Sequence, residues 1–271
     1  MKMRSILRML ELFSFLAIFV QASHALAVEG VIFDADVAPG EKIAHEMTVT
    51  LGESESPMDL AVEIDDWGQS NDGVNMPLEG QASPGPYSAR GFLIVEPHRF
   101  HIEPGGTEKV VVEGDVPEDV GSGGRYALIN IYSLPGKVKE DAENSVGISV
   151  AVSALARLII AGTDQVRRGE IAKANLTNVS LRHQNLSLMF VNTGNCHFKA
   201  GAEVILMNRD GNILGRASSP LSSNILPGAR RLFLLSMTPE QELKPGCYFI
   251  NATMKCENGT LLASKELKFD L

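Results

Sequence analysis

Beyond residue 27 the apolar residues show almost no helical period. They fall in short runs that alternate with polar positions, each run closed by Gly, Pro, Asn or Asp. Alternation of period two marks a strand with one buried face. The runs predict strands near Val28–Asp36, Ile43–Leu51, Met58–Asp66, Phe92–Glu96, Thr107–Gly114, Arg125–Ser133 and Gly147–Ile160. A second set follows at Ile171–Thr177, Ser180–Val191, Phe198–Asn208, Ile213–Ser218, Arg231–Met237, Cys247–Lys255 and Leu261–Phe269. Between the sets, the polar stretch Thr163–Glu170 with Arg167-Arg168-Gly169 breaks the apolar pattern.

About seven strands on each side of that break is what an immunoglobulin-like sandwich needs. The fold predicted is all-β, two tandem immunoglobulin-like β-sandwich domains over residues 28–162 and 163–271. Pro39-Gly40, Pro104-Gly105 and Pro227-Gly228 stand at turns between these strands, since Pro presets φ and Gly accepts positive φ. The longest stretch with little pattern is Gly68–Arg90, and a loop of that length is either functional or mobile.

The N-terminus changes the compartment expected. Lys2, Arg4 and Arg8 precede the apolar run Met9–Val20, and Ala25-Leu26-Ala27 offers small residues for processing. This predicts a signal peptide over residues 1–27. The run is too short for a bilayer span of ~20 residues and contains Glu11, so no membrane span is expected after cleavage. The protein is therefore expected outside the cytoplasm: periplasmic, at the cell surface or secreted. A formal charge of −9 argues against nucleic acid and anionic lipid as partners, because both attract Lys/Arg patches.

Candidate chemistry is sparse. His98 and His101, three apart, point to opposite faces of a strand and make poor co-ligands. Glu63, Asp65, Asp66, Asn71 and Asp72, ending at Gly73, are hard oxygen donors without the spacing of a calcium loop. No phosphate loop, nucleophile elbow or His-Glu-x-x-His sequence is present, and Gly121-Ser122-Gly123-Gly124 reads as a turn. No cofactor, no metal and no catalysis are expected. Sequons at Asn175, Asn178, Asn185, Asn251 and Asn258, all in the second half, are acceptors only in a host that glycosylates exported chains.

Leu243-Lys244-Pro245-Gly246-Cys247-Tyr248 resembles the tyrosine corner of β-sandwiches, with Tyr248 as its structural residue and Tyr126 in a weaker copy. The order Phe190-Val191-Asn192-Thr193-Gly194-Asn195, Asn208-Arg209-Asp210-Gly211 and Asn224 to Arg231 resembles WxL-interacting surface proteins. Phe92 to Pro97, Ile102 to Gly105 and Val116 to Asp119 look like the same family and like the N-terminal domain of PapD-like pilus chaperones. The resemblance implies a non-catalytic scaffold, adhesion or assembly-chaperone-like protein that binds other exported or cell-surface proteins. The alternative is a carbohydrate-binding or adhesive module, disfavoured by a single Trp and four Tyr. Pilus chaperones anchor a client carboxylate on an Arg in the first strand and a Lys in the last. Here the first strand is acidic and the last offers Arg157, so that anchor does not transfer.

Two site expectations follow. Three cysteines in an oxidising compartment permit one disulfide. Strand order and parity in an immunoglobulin-like domain point to Cys196–Cys256, leaving Cys247 unpaired. The closing strand of the first domain, with Ile148, Val150, Val152, Ala154 and Arg157, is expected to lie at a sheet edge and add a partner's strand.

Overall fold

The computed structural model describes residues 26–78, 83–134 and 149–271, with the backbone alone of residues 177 and 178. The expected signal peptide lies outside them except for Leu26 and Ala27, which belong to the first strand. That strand, β1 (Leu26–Glu29), is followed by β2 (Ile32–Val37), β3 (Lys42–Leu51), β4 (Met58–Asp65), β5 (Trp67–Gln69) and β6 (Asn75–Pro77). Then come β7 (Leu93–Glu96), β8 (Arg99–Ile102), β9 (Thr107–Asp115), β10 (Gly124–Ser133) and β11 (Ala151–Ile160).

Two sheets form the first sandwich, in the orders β1-β3-β9-β7 and β2-β11-β10-β4-β8. Alternation decides which residues meet between them. In β3, Ile43, Met47, Val49 and Leu51 are buried while Lys42, Ala44 and Glu46 face solvent. They close on Leu60, Val62, Ile129, Ile131, Leu158 and Ile160 of the opposite sheet. Burying one such aliphatic side chain stabilises the fold by about 1.5–3 kcal/mol.

The first predicted strand is two. Gly30 takes φ +75° between β1 and β2, and the chain crosses there from one sheet to the other. β1 pairs antiparallel with β3, whereas β2 lies parallel to β11. Alternation alone cannot register such a crossing, because both pieces keep the period of two.

The second sandwich contains β12 (Gly169–Val179), β13 (Gln184–Asn192), β14 (Ala200–Asn208), β15 (Ile213–Ser218), β16 (Arg230–Met237), β17 (Cys247–Cys256) and β18 (Leu261–Asp270). Its sheets run β12-β13-β16 and β15-β14-β17-β18. Phe190, Phe198 and Phe233 meet edge to face near its centre. On β17, Tyr248, Ile250, Ala252 and Met254 all point into this core. The Tyr248 hydroxyl donates to the Lys244 carbonyl at 2.6 Å, tying the strand to the turn before it.

Gly68–Arg90, expected without structure, contains the small hairpin β5–β6. It reaches the second sandwich: Gln69 Nε2 donates to the Asn224 carbonyl at 2.9 Å, and Leu226 N donates to Gln69 Oε1 at 3.0 Å. Leu232 N donates to the Asn71 carbonyl at 2.7 Å.

Candidate functional site: an open strand edge and the cleft between the sandwiches

The decisive strand is β11. It pairs antiparallel with β10 along its whole length, from Ala151 opposite Tyr132 to Ile159 opposite Gly124. On its other side β2 covers it from Leu155, opposite Ile32, to Ile160, opposite Val37. The closing strand is therefore internal at its C-terminal half, and the expectation of a free edge over its whole length is corrected. Arg157 lies in the covered half, its guanidinium engaging the Asp34 carboxylate through Nε at 2.6 Å and through Nη2. It is thus paired across β2 and β11 rather than offered to a partner. Ile148 lies outside the described residues.

The N-terminal half of β11 differs. Amides of a strand point alternately to its two sides. Leu155 N donates to Val31 O and Ala161 N to Val37 O, both on the β2 side. Val150 N and O and Ile160 N face β10. The odd-numbered Ala151 and Ser153 therefore turn their amides toward the side where, among the described residues, no strand pairs with them. The side chains of Val150 and Val152 are only half-buried, although Ala154 and Leu158 further along the same row are fully buried. Among the described residues an unpaired edge thus coincides with a core row short of cover.

The outer face of this sheet is polar at its exposed end and apolar toward the second sandwich. Ser153 Oγ donates to Asn130 Oδ1 at 2.5 Å, and Asn130 Nδ2 to Asp65 Oδ2 at 2.7 Å. The Tyr132 hydroxyl donates to Glu63 Oε1 at 2.6 Å, and that hydrogen bond holds the phenol above its ordinary pKa. At the other end, Gly124 to Ile129 are buried on both faces of β10. Ala127 and Ile129 point into the first core, while Tyr126 and Leu128 pack with Trp67 and, across the cleft, with Leu226.

Tyr126 is not a second tyrosine corner. His197 N donates to its hydroxyl at 2.8 Å, and His197 Nδ1 lies 3.1 Å from the same oxygen. Burial drives the phenol well above its ordinary pKa. Burial, then the positive Arg157, pushes the His197 imidazole below its ordinary value. Beside this pair Gly124 N donates to the Asn195 carbonyl at 2.8 Å. A Cβ at Gly123, where φ is +88°, would stand 2.2 Å from that carbonyl, so close approach of the two sandwiches requires glycine. The turn Gly121–Gly124 is therefore a contact between sandwiches.

The expected disulfide is absent: Cys196, Cys247 and Cys256 are all free thiols. The residue opposite Cys256 is Ala200. Cys196 lies upstream of β14, where its thiol faces the Val166 carbonyl at 3.7 Å, while Cys256 Sγ donates to Glu257 Oε2 at 2.8 Å. Strand parity does not reach Cys196, because the chain bends at residues 194–196 and β14 begins only at Ala200. Burial raises the pKa of both thiols.

Among the described residues no group of three or more His, Cys, Asp or Glu gathers to hold a metal, and no helix is long and apolar enough to cross a membrane. His101 Nδ1 meets Asp59 Oδ1 at 2.8 Å, and His98 stands 3.8 Å from Glu96 at the surface. The acidic stretch is dispersed: Glu63 and Asp65 serve the outer sheet face, Asp72 accepts from Ser70 Oγ, and the buried Asp66 forms an ion pair with Arg90 at 3.7 Å. Of the sequons, Asn175 and Asn258 are exposed and Asn185 and Asn251 half-buried. Asn258 Oδ1 accepts from Thr260 N within its turn, and the Asn178 side chain lies outside the described residues.

No protein-family model and no curated protein matches the chain. Solved structures with some similarity include the class 5 fimbriae chaperone CfaA, at 12% identity and TM-score 0.43 over 90% of this chain and 98% of that one. The E. coli chaperone DraB matches at 15% identity and TM-score 0.38 over 91% of this chain and 98% of that one. A Salmonella enterica SafA pilin–SafB chaperone complex matches at 10% identity and TM-score 0.41 over 91% of this chain and 96% of that one. These are weak likenesses, and the resemblance to WxL-interacting proteins has no counterpart in them.

Proposed function

We propose that the protein is a non-catalytic, extracytoplasmic binder of other exported chains, assembly-chaperone-like in its mode of action, which completes its first sandwich with a strand supplied by the partner. One observation carries this reading: the amides of Ala151 and Ser153, which no strand among the described residues pairs, lie where Val150 and Val152 lack full cover. Strand addition needs both, because main-chain hydrogen bonds supply affinity and alternate side chains fill pockets. An arriving strand in the place β2 leaves vacant would pair with Ala151 and Ser153 and lay apolar residues against Val150 and Val152. The acidic surface suits a protein partner better than nucleic acid.

The parity of β11 dictates the test. Proline at 150 or 152 would break the ladder to β10, whereas proline at 151 removes an N–H that faces the open side. Ala151→Pro is expected to leave a folded protein by circular dichroism and to reduce recovery of exported partners from the native envelope by about tenfold, on the order of one lost main-chain hydrogen bond with the packing beside it. Undiminished recovery with the folded variant would refute strand addition at this edge.

A further inference from the structure

The two sandwiches differ in charge far more than the chain total shows. Residues 28–162 hold 23 Asp and Glu against 8 Lys and Arg, a formal −15, whereas residues 163–271 hold 9 against 13, a formal +4. Acidity therefore belongs to the sandwich that owns the open edge of β11, and not to the chain in general.

Part of that charge lies beside the edge. Asp34, Asp36, Asp59, Glu63 and Asp65 are on the solvent side of the sheet β2-β11-β10-β4-β8. Its strands carry three cations: Arg99 on β8, Arg157 already bound to Asp34, and Arg125 on the buried row of β10. Ser153 stands opposite Asn130 and Leu155 opposite Leu128, and these stand opposite Glu63 and Asp65 on β4. Both carboxylates are bound by neutral donors, the Tyr132 hydroxyl and the Asn130 amide, which leave the charge in place. Glu63 is exposed and Asp65 half-buried. The outer row of β11 also changes along its length. Where β2 covers the strand it carries Leu155 and Arg157, but beside the open edge it carries Ala151 and Ser153.

Small residues at those two positions leave room for a long side chain of an added strand to lie across β11 toward β10 and β4. Three strand spacings separate an added strand from β4, about 14 Å. An extended Lys or Arg side chain covers nearly half of that, bringing its charge to roughly one screening length, about 8 Å, from the carboxylate row.

We propose that the strand accepted at this edge is cationic, with apolar residues directed at Val150 and Val152 alternating with Lys or Arg directed over Ala151 and Ser153. This rests on the strand-addition reading above and adds to it the chemistry of the partner. An acidic strand would meet like charge. A neutral strand would satisfy the amides and the core row but gain nothing from the field. A sandwich of this charge also steers a basic segment toward the edge, so association is fast and weakens with salt.

Three labelled, blocked heptapeptides, of alternating Lys and Val, Ser and Val, or Glu and Val, test this by fluorescence anisotropy with the whole purified protein. At low ionic strength the Lys peptide is expected to bind about tenfold more tightly than the Ser peptide, and the Glu peptide weakest. The Lys advantage should shrink at about 0.15 M salt. Glu63→Gln combined with Asp65→Asn keeps acceptors for Tyr132 and Asn130; it should cut the Lys advantage about threefold and leave the Ser peptide unaffected. Glu63→Gln alone serves if the pair does not fold. Ala151→Pro alters no charge and should weaken both the Lys and the Ser peptide. Equal affinity of these two peptides, each weakened by Ala151→Pro, overturns the cationic assignment and leaves strand addition standing, as does a Lys advantage unchanged in the folded carboxylate variants. Lys-peptide binding undiminished by Ala151→Pro, or no binding of any peptide, overturns both.

Discussion

His197 shows how one side chain couples the contact between sandwiches to pH. Its folded pKa lies below the ordinary value near 6.5, chiefly through burial. The unfolded chain therefore takes up a proton at a higher pH than the folded one. The stability contributed by neutral His197 is fully present above the unfolded pKa and declines as pH falls below it toward the folded pKa. His101 acts in the opposite sense, because the hydrogen bond its imidazole donates to the Asp59 carboxylate raises its pKa; its contribution is present below the unfolded pKa and is lost as pH rises through the folded one. Comparison of wild type with His197→Gln isolates the first effect. The variant should lose less stability between pH 7 and pH 5 in urea titrations, and parallel pH profiles would contradict this assignment. Nothing in the order of residues 195–199 marks His197 as half-buried against Tyr126, since that partner is 71 residues away.

Among the elements, the crossing at Gly30 bears the most weight. Besides its φ of +75°, a Cβ there would stand 2.6 Å from the Glu46 carbonyl oxygen. The preceding strand pairs with β3 and the following one with β11, so the bend cannot relax without loosening one sheet. Gly30→Ala is expected to cost roughly 1–3 kcal/mol, the usual range for a residue forced into a sparsely populated conformation, read as a lower urea midpoint. An unchanged midpoint would mean that the crossing is looser than the geometry indicates. The strands of the second sandwich were legible because each alternates between one core and solvent. β10 was legible as a strand, but Tyr126 and Leu128 gave no sign that its outer face was covered, since the cover comes from Leu226 far along the chain.

In the whole molecule, β5–β6 joins the two sandwiches, and Gln69 is its polar anchor. Gln69→Leu removes the hydrogen bonds to Asn224 and Leu226 and leaves both backbone groups unpaired. This is expected to cost about 2 kcal/mol and to separate the calorimetric melting of the two sandwiches; a single unshifted transition would show that the apolar contact around Trp67 suffices alone. Two sandwiches were readable from the spacing of the strands. The docking of one on the other was not, because it rests on a hairpin inside a stretch dominated by turn residues and on single contacts between distant positions. The edge of β11 was half readable: its alternation marked a strand with one apolar face, while the place where β2 begins to cover it is set by the crossing at Gly30.

The parallel pairing of β2 with β11 also sets an order in time. Asp34 and Arg157 are 123 residues apart, so as the chain is made from its N-terminus β2 must wait for nearly the whole first half before its neighbour exists. Contacts of such long range slow folding, and an unpaired strand is exposed to wrong associations meanwhile. The nascent first half should therefore be the stage at which this protein itself most depends on protection, and arresting synthesis just before residue 155 should leave Ile32–Val37 open to proteolysis that closes once residue 160 has emerged.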